Sequence, residues 1–178
     1  MSKRTKRPVS LGAAVALSVV VSIIVAIVYV LVSLAIPNSP ESLLVQLVAG
    51  NESSELSSGL LYQNLWSQVF TQQMFIQMPL SMLAGGITLG LRLGESFGVR
   101  KLYSWAAYCG IFIFLASNCF LWLGKLVNQG MRLNAGDLTP QIAVAYLFAF
   151  LLWVGLYVCG ADIGRRFFRT RPTSVATA

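Results

Sequence analysis

Long apolar runs without charged residues set the pattern of this chain. Four of them cover about residues 11–36, 69–91, 102–123 and 141–162. A helix needs about 20 apolar residues to cross the hydrocarbon layer of a bilayer, so each run is long enough to span it. The pattern predicts an all-α membrane protein, arranged as a four-transmembrane-helix antiparallel bundle.

The longest polar stretch, residues 37–68, separates the first two runs. Within it, Ser39, Pro40 and Glu41 have the order of an N-cap, a first-turn proline and a first-turn acid. Leu43 and Leu47 then recur at helical spacing. We therefore expect a short external amphipathic helix on the membrane surface, inside an external loop.

The first run has two interpretations. The basic segment before it, residues 1–10, and the small residues Ser33 and Ala35 would suit a cleaved signal peptide. The apolar part of a signal peptide is only about 7–15 residues long, however, and this run is much longer. We expect an uncleaved membrane anchor.

Composition agrees with a membrane location. Hydrophobic residues make up 56% of the chain and charged residues 11%, whereas soluble domains contain about 25% charged residues. The formal net charge is +7, but the basic residues flank the apolar runs. That position is typical of topology signals and argues against nucleic-acid binding.

The distribution of basic residues predicts the orientation. Of the 13 lysines and arginines, all but Lys125 and Arg132 lie in residues 1–10, in the connection between the second and third runs, or in residues 163–178. Cytoplasmic segments carry the excess of positive charge, which gives an N-in/C-in topology. We expect a basic cytoplasmic N-terminus (1–10), a membrane domain (11–162) and a basic cytoplasmic tail (163–178), in a bacterial inner (plasma) membrane.

A glycine repeat marks the second run and the connection after it. Gly86, Gly90, Gly94 and Gly98 follow one another at a spacing of four residues. Helices in lipid associate by close backbone approach, which small residues permit. We expect these glycines to be helix-packing residues, with a ladder in the first run as their partner: Ala14, Ser18, Ser22 and Ala26. Packing inside one monomer, a seat for another subunit and a glycine-lined pore are the three alternatives.

Polar side chains occupy the outer half of two runs. They are Gln72, Gln73 and Gln77 in the second run and Asn118 in the third. A side-chain amide in hydrocarbon needs a hydrogen-bond partner or a hydrated cleft. The first possibility predicts a bond between Gln77 and Asn118. The second predicts a polar pocket for a headgroup, a quinone or a small solute.

Residues suited to catalysis or metal binding are scarce. The sequence contains no histidine, which excludes imidazole ligation of haem and the usual zinc sites, and its three cysteines form no CxxC pair. Asp162 is followed by Arg165 and Arg166, so we expect an ion pair at the end of the fourth run. We expect no catalytic residue, no metal and no cofactor.

These observations lead to two functional hypotheses. The first is a small non-catalytic accessory or structural subunit of a larger membrane complex. Its partners would be the lipid bilayer and other membrane-protein subunits, or further copies of itself, bound through small-residue helix faces. The alternative is a small subunit of a transporter or channel with a polar outer-half cleft.

Overall fold

Helices make up all the regular secondary structure that the computed structural model describes. It describes residues 10–48, 64–65, 67–94, 96–129 and 140–169. The helices are α1 (Leu11–Ala35), α2 (Pro40–Val48), α3 (Ser67–Leu93), α4 (Val99–Gln129) and α5 (Pro140–Arg169). All of these except α2 contain a segment long and apolar enough to cross a membrane. The prediction of an all-helical chain with four such helices is confirmed.

Proline and serine residues define the helix starts. Pro40 and Pro140 are the first residues of α2 and α5, where the missing N–H of proline costs no hydrogen bond. Ser39 caps α2, because its Oγ accepts a hydrogen bond from the Ser42 N–H at 3.1 Å. Asn38, just before it, has a φ of 61°, a left-handed conformation that asparagine tolerates in a tight connection.

A π-helical turn interrupts α3 at Gln73–Gln77. The Met78 N–H donates to the Gln73 carbonyl, five residues earlier, instead of four. Pro79 follows directly, and a proline ring collides with the carbonyl of the residue four positions before it in an ordinary α-helix. The wider turn relieves that collision. The π turn ends two residues before this proline.

The chain divides into two compact units. The first, Met1–Ser22 with Met82–Ala178, has an aromatic core on α4 and α5. Trp153 and Tyr157 of α5 are fully buried. The Phe114 ring of α4 meets the Phe150 and Trp153 rings edge-on, with centroids 5.2 and 4.9 Å apart.

The second unit, Ile23–Ser81, contains the end of α1, all of α2 and the beginning of α3. Val69 and Met74 supply buried apolar surface. Ser33 is also buried, and its carbonyl accepts a hydrogen bond from Ser39 Oγ at 2.6 Å. This bond fixes the connection between α1 and α2.

Candidate functional site

Two glycine faces meet where α3 crosses α5. On α3, a Cβ added at Gly90 would lie 2.8 Å from the carbonyl carbon of Ala161, and one at Gly94 would lie 3.0 Å from Arg165 Cα. A Cβ at Gly86 would lie 2.9 Å from the Tyr157 carbonyl carbon. The glycines and the residues they contact both advance by four, so the two helices touch along a line.

The contact is reciprocal. A Cβ at Gly160 of α5 would lie 2.5 Å from the Leu83 carbonyl oxygen of α3. One at Gly164 would lie 2.8 Å from the Leu91 N and would also collide with the Ile87 carbonyl. Because both backbones lack side chains here, they approach more closely than any other residue would allow.

The small-residue ladder of α1 has a different partner from the expected one. Ala14, Ser18 and Ser22 are buried. A Cβ at Gly85 would collide with the Ser22 hydroxyl, and Gly85 lies outside the four-residue repeat. The expectation that this ladder seats Gly86, Gly90 and Gly94 is wrong, since those glycines contact α5.

The two remaining members of the predicted sets lie elsewhere. Among the described residues, no atom is within 4 Å of the position that a Cβ at Gly98 would occupy. Ala26 belongs to the second unit, where its carbonyl accepts a hydrogen bond from Gln77. Gly98 therefore takes no part in the α3–α5 contact.

A buried hydrogen bond joins α1 to α5. The Ser18 hydroxyl and the Tyr157 hydroxyl are 2.8 Å apart, and both residues are fully buried. Ser18 also donates to the Val15 carbonyl, and Ser22 donates to the Ser18 carbonyl. The serines of this ladder are small, and in addition their hydroxyl groups position Tyr157.

A carboxylate and an amide meet in the second unit. Glu41 of α2 is only 7% exposed. In the amide orientation that satisfies both side chains, Gln72 Nε2 lies 2.9 Å from Glu41 Oε1 and 3.3 Å from Oε2. Gln73, the next residue, begins the π turn. The sequence predicts Gln72 as a polar site residue, but nothing in it indicates that Glu41 of the short helix α2 is its partner.

The two other predicted polar residues each bond to a main-chain carbonyl. Gln77 Nε2 donates to the Ala26 carbonyl at 3.0 Å, and Asn118 Nδ2 donates to the Phe114 carbonyl at 2.8 Å. Among the described residues, the oxygens Gln77 Oε1 and Asn118 Oδ1 are buried and have no hydrogen-bond partner. The expected Gln77–Asn118 bond stays a prediction, because the two residues belong to different compact units.

A charged cluster closes the end of the α4–α5 pair. Arg165 and Arg166 both pair with Asp162, at 3.0 and 2.7 Å, as the sequence predicts. Tyr103 of α4 adds a hydrogen bond to the same carboxylate at 2.6 Å. Sequence reasoning missed this tyrosine, because nothing in the spacing indicates which helix lies beside Asp162.

Comparison with protein families, with curated proteins and with solved structures finds no match for this chain.

Proposed function

We propose that this chain is a small non-catalytic accessory or structural subunit of a larger membrane complex. In this proposal the four long helices form an antiparallel bundle, with both termini in the cytoplasm and α2 on the external face. The positive-inside distribution of the basic residues supports this orientation. The same distribution is compatible with a bacterial inner membrane.

The use of polar groups inside the protein supports a structural role. Ser18 bonds to Tyr157, Gln77 bonds to the Ala26 carbonyl, and Tyr103 bonds to Asp162. Each bond joins two different helices. Such bonds contribute about 0.6 kcal/mol on average in a membrane, and they specify which helix faces pair.

An exposed glycine in the middle of α5 is the observation that carries the proposal. Gly155 is exposed. In the described part of the chain, no atom lies within 4 Å of a Cβ placed at Gly155. Leu151, one turn before it, is exposed as well. A partner helix can approach the α5 backbone closely at this position.

Site-specific photo-crosslinking in native membranes tests the proposal. A photoreactive amino acid at Leu151 would lie beside Gly155, and one at Leu31 on α1 is a matched control, because both leucines are 60% exposed. We expect a discrete protein adduct from position 151 and only lipid adducts from position 31. Mass spectrometry of the adduct distinguishes a different subunit from a second copy of this chain. Protein adducts at neither position, or equal adducts at both, would contradict the proposal.

A specific observation also favours the transporter or channel alternative. The second unit holds a buried carboxylate, Glu41, and a buried amide oxygen, Gln77 Oε1, that has no partner among the described residues. π-helical turns such as the one at Gln73–Gln77 often occur at functional sites. A solute or ion flux into liposomes that contain the protein, lost on Glu41→Gln, would favour this alternative over the structural role.

A further inference from the structure

A groove of about 500 Å³ lies on the surface between α4 and α5, at the charged end of the two helices. Tyr103 lines it from α4. The α5 residues that line it are Val158, Cys159, Asp162, Ile163 and Arg166.

Apolar atoms line almost all of the groove, and the charged side chains lie at one end of it. Val158 and Cys159 lie at one end, Ile163 follows one turn later, and Arg166 lies at the other end. The distance from Val158 to Arg166 along α5 is about 12 Å, at 1.5 Å per residue. The apolar end faces the middle of the membrane-spanning segment Ala143–Phe167, and the charged end coincides with its last turn. A phospholipid has the same order, with acyl chains inside and a phosphate outside.

The charged end is suited to an anionic group. Asp162 carries one negative charge and pairs with two arginines, so the cluster keeps one net positive charge. The Arg166 side chain is 73% exposed although its Nε is bound to Asp162. Arg100, one turn before Tyr103 on α4, is also exposed but is not among the residues that line the groove.

We propose that this groove is a binding site for an anionic phospholipid. Its acyl chain lies along Val158 and Ile163, and its phosphate lies against the Arg166 guanidinium. Asp162 and Tyr103 are positioning residues, because they hold the arginine side chain and join α4 to α5. The site lies inside one unit of the chain and does not depend on a partner subunit.

Native mass spectrometry of the delipidated full chain in detergent tests this site. Titration with phosphatidylglycerol and with phosphatidylcholine measures binding of an anionic and a zwitterionic lipid with the same acyl chains. We expect phosphatidylglycerol to bind more tightly, and Arg166→Gln to weaken its binding about fivefold. Arg92→Gln is the matched control: Arg92 is an exposed arginine of α3 outside the groove. We expect it to leave the affinity unchanged.

A second variant and a soluble competitor complete the test. Cys159→Phe places an aromatic ring in the apolar half of the groove, and we expect it to abolish the preference for phosphatidylglycerol while the helix content stays the same. Glycerol 3-phosphate should not displace the lipid, because it lacks acyl chains. Equal binding of the two lipids, or equal weakening by Arg166→Gln and Arg92→Gln, would overturn the proposal. Displacement by glycerol 3-phosphate would also overturn it, in favour of a free-phosphate site.

Discussion

Replacing Gly90 by alanine tests the contact between α3 and α5 with a single carbon atom. The new Cβ would lie 2.8 Å from the Ala161 carbonyl carbon and 2.9 Å from its Cα, and it would also collide with the carbonyl oxygen. Ordinary contacts of a Cβ begin at 3.4 Å, so the carbonyl carbon alone requires a separation of about 0.6 Å, and the closer carbonyl oxygen requires more. Main-chain atoms cannot rotate away as a side chain can.

The cost follows from this separation. Overpacking a tight contact destabilises a protein by about 1–3 kcal/mol. We expect the upper part of this range, because the separation also loosens the contacts of Gly86, Gly160 and Gly164. The helix propensity of alanine opposes the loss, since alanine is about 1 kcal/mol more favourable than glycine inside a helix.

A control variant corrects for the difference in helix propensity between alanine and glycine. Gly155→Ala has the same gain in propensity, and the described residues place no atom within 4 Å of its Cβ. We therefore expect the free energy of unfolding of Gly90→Ala to be about 2–3 kcal/mol below that of Gly155→Ala. Both variants are held in mild detergent and unfolded by added SDS, and circular dichroism monitors the unfolding. Equal stabilities would refute the contact.

A second change identifies the atoms responsible. Adding Ala161→Gly to Gly90→Ala should not restore stability, because the collision is with the main chain of Ala161 and remains when its methyl group is removed. If the double variant recovers the wild-type stability, the side chain of Ala161 is the obstacle and the geometry described above is wrong.

Two further predictions concern the orientation and the π turn. In a background without native cysteines, a cysteine at Ser54 should react with an impermeant thiol reagent from outside and one at Ser96 should not. Labelling of position 96 in intact cells would reverse the topology. Deleting Ile76 should convert the π turn into an ordinary α turn, because a π turn holds one residue more than an α turn, and Gln72 should stay beside Glu41. A short crosslinker between cysteines at positions 41 and 72 measures this, and loss of the crosslink in the deletion variant, but not in Ile76→Ala, would show that the flanks do not keep their register.

The helices themselves could be predicted from the sequence because apolar runs and prolines act locally. The run expected at about 69–91 corresponds to α3 at Ser67–Leu93, and the run expected at about 141–162 lies within α5, which begins at Pro140. Helices α4 and α5 extend beyond the apolar runs, to Gln129 and Arg169. The backbone hydrogen bonds of a helix continue beyond the hydrocarbon layer, where the residues are no longer apolar. A helix can therefore be longer than the apolar run that predicts it.

The partner of the glycine face could not be predicted from the same signals. Ala14–Ser18–Ser22–Ala26 is a long small-residue ladder, and it lies in the apolar run that precedes the glycine face. The structure instead pairs glycine with glycine, since Gly90 meets α5 beside Gly160 and Gly164. The closest approach requires both backbones to be bare. The hydroxyl groups of the serines occupy space and form bonds of their own.

These pairings also limit where a partner can bind. The exposed face of α1 consists of large residues such as Ile24, Ile27 and Leu31, which keep a neighbouring backbone at a distance. Lipid acyl chains adapt to such a surface, and without a hydrophobic driving force in the bilayer a partner helix gains little there. The outer face of α5 is different, because Gly155 offers bare backbone in its middle. A specific neighbour of this protein is therefore expected on α5, and a test that examines only α1, the most apolar helix, would miss it.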